Sequence, residues 1–200
     1  MSDVHATLIG LEGLGPVQQG RELEQLRATR HGADVLGLAR HLVAALHVEP
    51  ATVQFGGFVD RDYTLSSRGK RLFERSVAID GDKVIMTGWM LDASGEPDAR
   101  LDRLRREMQQ FGLTHRYHAS PDATDHDAYM VVGELTKRVE PSALSTVVAC
   151  TREIVAAQPC RVELGSDQLM IACYDDTRLP ASTTTASSLV EFASGATGYR

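Results

Sequence analysis

Apolar residues recur along this chain with two periods, and they divide it into short strands and longer helices. Ala6-Thr7-Leu8-Ile9-Gly10-Leu11 has strand composition and stops at Gly13 and the Gly15-Pro16 pair. A helical stretch is predicted from about Gln18 to His47, interrupted near Gly32. Its second half puts Val35, Leu38, Ala39, Leu42, Ala45 and Leu46 on one face. Thr52 to Phe55 reads as a strand ending at Gly56-Gly57, and residues 60 to 71 as a polar loop. Leu72 to Ile79 and Lys83 to Leu91 read as two strands joined by a tight turn at Asp80-Gly81-Asp82. Pro97 suits the first turn of a helix carrying Leu101, Leu104, Met108 and Phe111, which Gly112 ends. A short strand is expected within Thr114 to Ser120 and another over Ala128 to Leu135. A helix from Pro141 bears Leu144, Val147, Val148, Thr151, Ile154 and Val155, and strands follow at Arg161 to Leu164 and Gln168 to Tyr174. The remainder is rich in Ser, Thr and Ala, with a candidate edge strand at Leu189 to Phe192.

The order strand, helix, strand, strand occurs from Val4 to Ile79 and again from about His126 to Tyr174. The opening strands read HATLIGLEG and AYMVVGELT and end alike at Gly10 and Gly133. The expected fold is therefore α+β, with two pseudo-symmetric lobes, each an antiparallel sheet with flanking helices, around a central cleft. One bilobed domain spans residues 1–180, with lobe-forming repeats at about 4–79 and 126–174 and a tail at 181–200. Clefts between lobes are common ligand sites.

Composition narrows the class. The chain has 200 residues, 42% hydrophobic and 24% charged, which is ordinary for a folded domain. A net charge of −6 argues against an extended duplex nucleic-acid surface. No apolar run is long enough to span a membrane. MSDVHATLIG lacks the basic region of a signal peptide, so a cytoplasmic protein is expected. Cys150, Cys160 and Cys173 have no C-x-x-C spacing and read as small buried core thiols. Asp122, Asp125, His126 and Asp127 form an acidic loop without recognised ligand spacing, so neither metal nor cofactor is expected.

His5 and Thr7 are two apart on a strand, so their side chains share a face. A neutral imidazole beside a hydroxyl suits a phosphodiester: the ring takes a proton and the hydroxyl donates to a phosphoryl oxygen. His5-Ala6-Thr7-Leu8-Ile9-Gly10, Phe73-Glu74-Arg75-Ser76-Val77 and Gly133-Glu134-Leu135-Thr136, with the order of elements over residues 4 to 175, resemble the 2H phosphoesterase superfamily, in the branch of 2′-5′ RNA ligases and cyclic phosphodiesterases. That resemblance implies two His-x-(Thr/Ser) pairs and metal-independent hydrolysis of a cyclic phosphate or 2′,5′-type linkage in a nucleotide or RNA end. The second motif departs from the pattern. Matching Gly133 to Gly10 puts Ala128 and Met130 where His5 and Thr7 stand. His126, or His118 with Ser120, are the candidates to complete it. Arg68, Lys70 and Arg75 are candidate phosphate-binding residues, and the Tyr129 hydroxyl is a candidate replacement donor. The alternative is a catalytically degenerate module of the same fold that binds a nucleotide or a protein.

Overall fold

The apolar stripe that begins at Val35 folds as predicted, into helix α1 (Val35–Val48). Asp34 caps it, accepting a 2.7 Å hydrogen bond from the Gly37 amide. Leu38, Ala39, Leu42 and Leu46 are its buried face. The structure is a computed structural model describing residues 5–10, 33–115, 117–118, 120, 122–136, 139–174 and 182–195. The helix start at Gln18 and the break near Gly32 lie outside these residues.

Strand β1 is short, Ala6–Thr7. After α1 come β2 (Ala51–Phe55), a single helical turn α2 (Leu72–Arg75), β3 (Val77–Asp80) and β4 (Lys83–Leu91). The expected strand from Leu72 is thus corrected to a helical turn followed by a shorter strand. Local side chains divert the backbone there. Glu74 accepts from the Arg71 amide at 2.9 Å, and Ser76 Oγ donates to the Phe73 carbonyl at 2.8 Å. The β3–β4 hairpin closes at Asp80↔Lys83, with Gly81 at φ 63° in the first central position, as a II′-type turn requires.

Helix α3 (Arg100–Glu107) continues into a 3₁₀ turn over Met108–Phe111, and Gly112 ends it at φ 71°. Pro97 lies ahead of this helix, bridged to Leu91. The expected strand in 114–120 is absent among the described residues, because side chains there pair with Asp102 and Asp125 instead of a ladder. Then follow β5 (Ala128–Glu134), α4 (Pro141–Ala156), β6 (Cys160–Leu164), β7 (Met170–Tyr174), β8 (Thr184–Ser188) and α5 (Leu189–Ser194). The edge strand expected at Leu189 is a helix. It buries Leu189 and Ala193, four apart on one face, against α1.

The protein is α+β. One antiparallel sheet runs β1-β5-β4-β2-β6, and β7 pairs β8 separately. The long β4 takes β5 along one side. On its other side β3 pairs the first half and β2 the second. One sheet face, with Val53, Phe55, Met90 and Ala128, packs with α1 and α3 in the main core. The opposite face carries Trp89 and Leu91 under Phe58 and Leu72. All three cysteines are exposed and unpaired, which corrects their reading as core thiols. Among the described residues no helix is long and apolar enough to cross a membrane.

Candidate functional site

Strand register builds the site. Thr7 lies opposite Tyr129 on β5, and Tyr129 lies opposite Thr87 on β4. Three hydroxyl side chains thereby form one row across three strands, on the face away from α1. His5 stands just ahead of β1, two residues before Thr7, and, like Thr7, is exposed. Thr87 is fully buried, and its Oγ1 has no hydrogen-bond partner among the described residues. Burial raises the Tyr129 pKa, helped by Asp80 and Tyr117 and opposed by the positive charges of Arg68 and Arg75, so the phenol stays protonated at neutral pH.

Both arginines converge on Asp127, two residues before Tyr129. Arg75 Nη2 lies 3.3 Å from Asp127 Oδ2 and Arg68 Nε 3.7 Å from it. Asp127 is 3% exposed, and it also accepts from Ser67 Oγ at 2.7 Å and Trp89 Nε1 at 3.0 Å. Two guanidinium groups share one carboxylate, so the cluster keeps one positive charge. Arg68 is held unusually. Ser67 and Lys70 exchange backbone hydrogen bonds of 2.9 Å around a two-residue turn. Arg68 and Gly69 occupy it at φ 50° and 74°, and Arg68 is the one described non-glycine residue at positive φ. Its guanidinium sits 4.7 Å from the centre of the Tyr117 ring and is half exposed. Lys70 lies on the exposed arm of the same turn.

A second network fastens this face to α3. Arg105, 2% exposed, donates to the backbone carbonyls of Leu8 at 2.7 Å, Thr7 at 3.3 Å, Asp125 at 2.9 Å and Asp127 at 3.1 Å. It also pairs with Asp125 Oδ2 at 3.1 Å. Asp102 accepts from Arg106, from His118 Nε2 and from the Asp125 amide at 2.7, 2.8 and 2.6 Å. Burial pushes its pKa up, but these bonds outweigh burial and hold it at about 2. His115 Nε2 lies 3.0 Å from Asp125 Oδ2, and burial lowers its pKa despite that carboxylate.

The structure therefore pairs Thr7 with Tyr129, with Arg68 and Arg75 close enough to Tyr129 for their charges to act on it, and His5 just ahead of Thr7 in the chain. The other candidates lie outside these paired strands. His118 is buried against Asp102. Ser120 is exposed, and its carbonyl accepts from the Ala123 amide. His126 lies just ahead of β5, half-buried, and its Nδ1 is buried without a hydrogen-bond partner among the described residues. Thr87, Tyr117 and Arg105 were not singled out in the sequence, and Asp127 was read there only as part of an acidic loop. The available signal was alternation, which pairs Asp127 with Tyr129. Among the described residues no group of three or more His, Cys, Asp or Glu side chains is arranged to hold a metal ion. No protein-family model, curated protein or solved structure matches the chain.

Proposed function

We propose that the chain is a metal-independent phosphodiesterase acting on a cyclic phosphate or 2′,5′-type linkage of a nucleotide or RNA end at the β1–β5 face. The observation that carries this reading is the register of Thr7 against Tyr129, beside two arginines that share the single carboxylate of Asp127. Arg68 and Arg75 hold the phosphate, and Thr7 donates to a non-bridging oxygen. His5 takes the proton of the attacking water or ribose hydroxyl as its oxygen bonds to phosphorus. Tyr129 gives its proton to the oxygen whose bond to phosphorus breaks, and the imidazolium later restores it. A phenol with a raised pKa suits an alkoxide leaving group, which is a still stronger base. The two-lobed arrangement belongs to this proposal, supported by the pairing of β1 with β5, the opening strands of the two repeats. A cytoplasmic site of action fits three exposed, unpaired thiols.

The burial of His118 against Asp102 favours a second reading, a nucleotide-binding module without turnover. One experiment separates the two. Hydrolysis of a 2′,3′-cyclic nucleotide in excess EDTA is measured for the wild type, His5→Ala and Tyr129→Phe, alongside calorimetric binding of the same nucleotide. Loss of on the order of 10²–10⁴-fold in rate for His5→Ala supports the enzyme. Tight binding with no turnover in the wild type selects the module. Neither binding nor turnover overturns both.

A further inference from the structure

We propose that β6 is the contact through which two copies of this chain associate, edge to edge and antiparallel about a two-fold axis at Val162. Strand β6 pairs β2 over Ala51↔Leu164 to Phe55↔Cys160 and ends the sheet path, with no strand on its outer side among the described residues. An open edge presents unpaired amides and carbonyls, which soluble proteins usually blunt with lysine, proline or a bulge. Cys160-Arg161-Val162-Glu163-Leu164 has no lysine, proline or bulge, its two charges are of opposite sign, and four of its five residues are exposed.

The five residues are complementary to themselves. With Val162 opposite Val162 of a second copy, Arg161 falls opposite Glu163 and Cys160 opposite Leu164. Alternation separates the two kinds of pair. Val162 lies beside Val53, so Cys160, Val162 and Leu164 extend the apolar face that packs on α1. Val162 is 40% exposed there, and a second β6 would cover it. Arg161 and Glu163 point to the other face, where the twofold makes two cross-strand ion pairs. A one-residue slip in register would break both patterns, so the strand specifies one antiparallel partner, itself. Five residues make a small interface compared with about 800 Å² per partner in a stable complex. The association is therefore concentration-dependent.

Sedimentation of the full chain tests this between about 1 and 100 µM. The wild type should move from monomer to dimer. Glu163→Arg sets two like-charge pairs across the axis and should raise the dissociation constant by about tenfold. The double swap Arg161→Glu/Glu163→Arg should restore the wild-type constant. Arg161 also bonds Gln54 Oε1 at 2.9 Å, so a second variant guards against misfolding of the swap. Val162→Cys in a background with Cys150, Cys160 and Cys173 changed to Ser should form a disulfide-linked dimer on mild oxidation. A wild type that stays monomeric overturns the proposal, and protected β6 amides in that monomer would show that the chain covers its own edge. A dimer unaffected by Glu163→Arg also overturns it, because the contact then lies elsewhere.

Discussion

Arg105 should hold the candidate site without touching a substrate, and replacing it should release β1. Strand β1 is tied to the sheet by two paired residues, and Arg105 reaches the carbonyls of Thr7 and Leu8 from α3. Two exposed ladder positions contribute about 1 kcal/mol each at most. Arg105→Met leaves four carbonyls without this donor and a 4% exposed Asp125 carboxylate without its guanidinium, with His115 as its remaining side-chain partner among the described residues. Removing one partner of such a buried pair costs about 3–5 kcal/mol. Arg105→Lys keeps the charge but cannot span the fork of acceptors, and should cost about 2 kcal/mol. Urea unfolding measures the global loss, and hydrogen exchange locates it. In Arg105→Lys the amides of β1 should exchange as in an unstructured chain, while β2 and β4 remain protected. Phosphodiester turnover, where present, should fall with them. An Arg105→Met protein within about 1 kcal/mol of wild type, or β1 amides that keep their protection, would refute the reasoning.

Four further outcomes are expected. The folded Asp102 pKa of about 2 lies below its unfolded value, so its contribution of about 2 kcal/mol is present above pH ~4 and is lost as the pH falls toward 2. Urea midpoints across that range should flatten in Asp102→Asn. His115 has a lowered folded pKa, so the unfolded chain binds its proton first and stability falls as the pH drops below about 6.5. A ring titration by NMR should find the His115 midpoint below that of an ordinary exposed histidine. Arg68→Gly removes a positive-φ cost of about 1 kcal/mol and should leave stability equal or higher while weakening phosphate binding. A destabilised Arg68→Gly protein would show that the guanidinium contacts with Asp127 and Tyr117 are structural. Gly81→Val should lower stability by about 1–2 kcal/mol, because a β-branched residue resists φ 63°, whereas Gly81→Asn should cost less; equal melting temperatures would count against the turn geometry.

Most of the framework was legible because burial and period agree. Leu38, Leu42 and Leu46 are regularly spaced and all buried, and β4 is apolar apart from Lys83 and Thr87 because both of its faces are covered. The misread segments are those where side chains compete with the backbone pattern. Leu72 and Phe73 have strand composition, yet Glu74 and Ser76 satisfy neighbouring backbone groups and turn the chain. Leu189 to Phe192 look extended in isolation, but Leu189 and Ala193 find α1 through helical spacing. No local pattern carries that tertiary preference.

The candidate site was half legible for a reason of parity. His5 and Thr7 follow from a two-residue period, and Arg68 and Arg75 from their density of charge. The second half rested on matching Gly133 to Gly10, which sends Ala128 and Met130 to the positions of His5 and Thr7. The sheet puts Tyr129 opposite Thr7 instead, and a shift of one residue turns a whole strand over. Asp127 and Tyr129 then occupy the face that Ala128 and Met130 were expected to hold. Asp127 could not be chosen from the loop around it, because Asp122 and Asp125 are chemically identical there. What distinguishes it is three partners distant in sequence, Ser67, Arg75 and Trp89, all brought to one carboxylate by folding. The charge left over by that convergence is what makes the face suited to a phosphate, and it arises only when two arginines from one loop and turn meet a single acid from another.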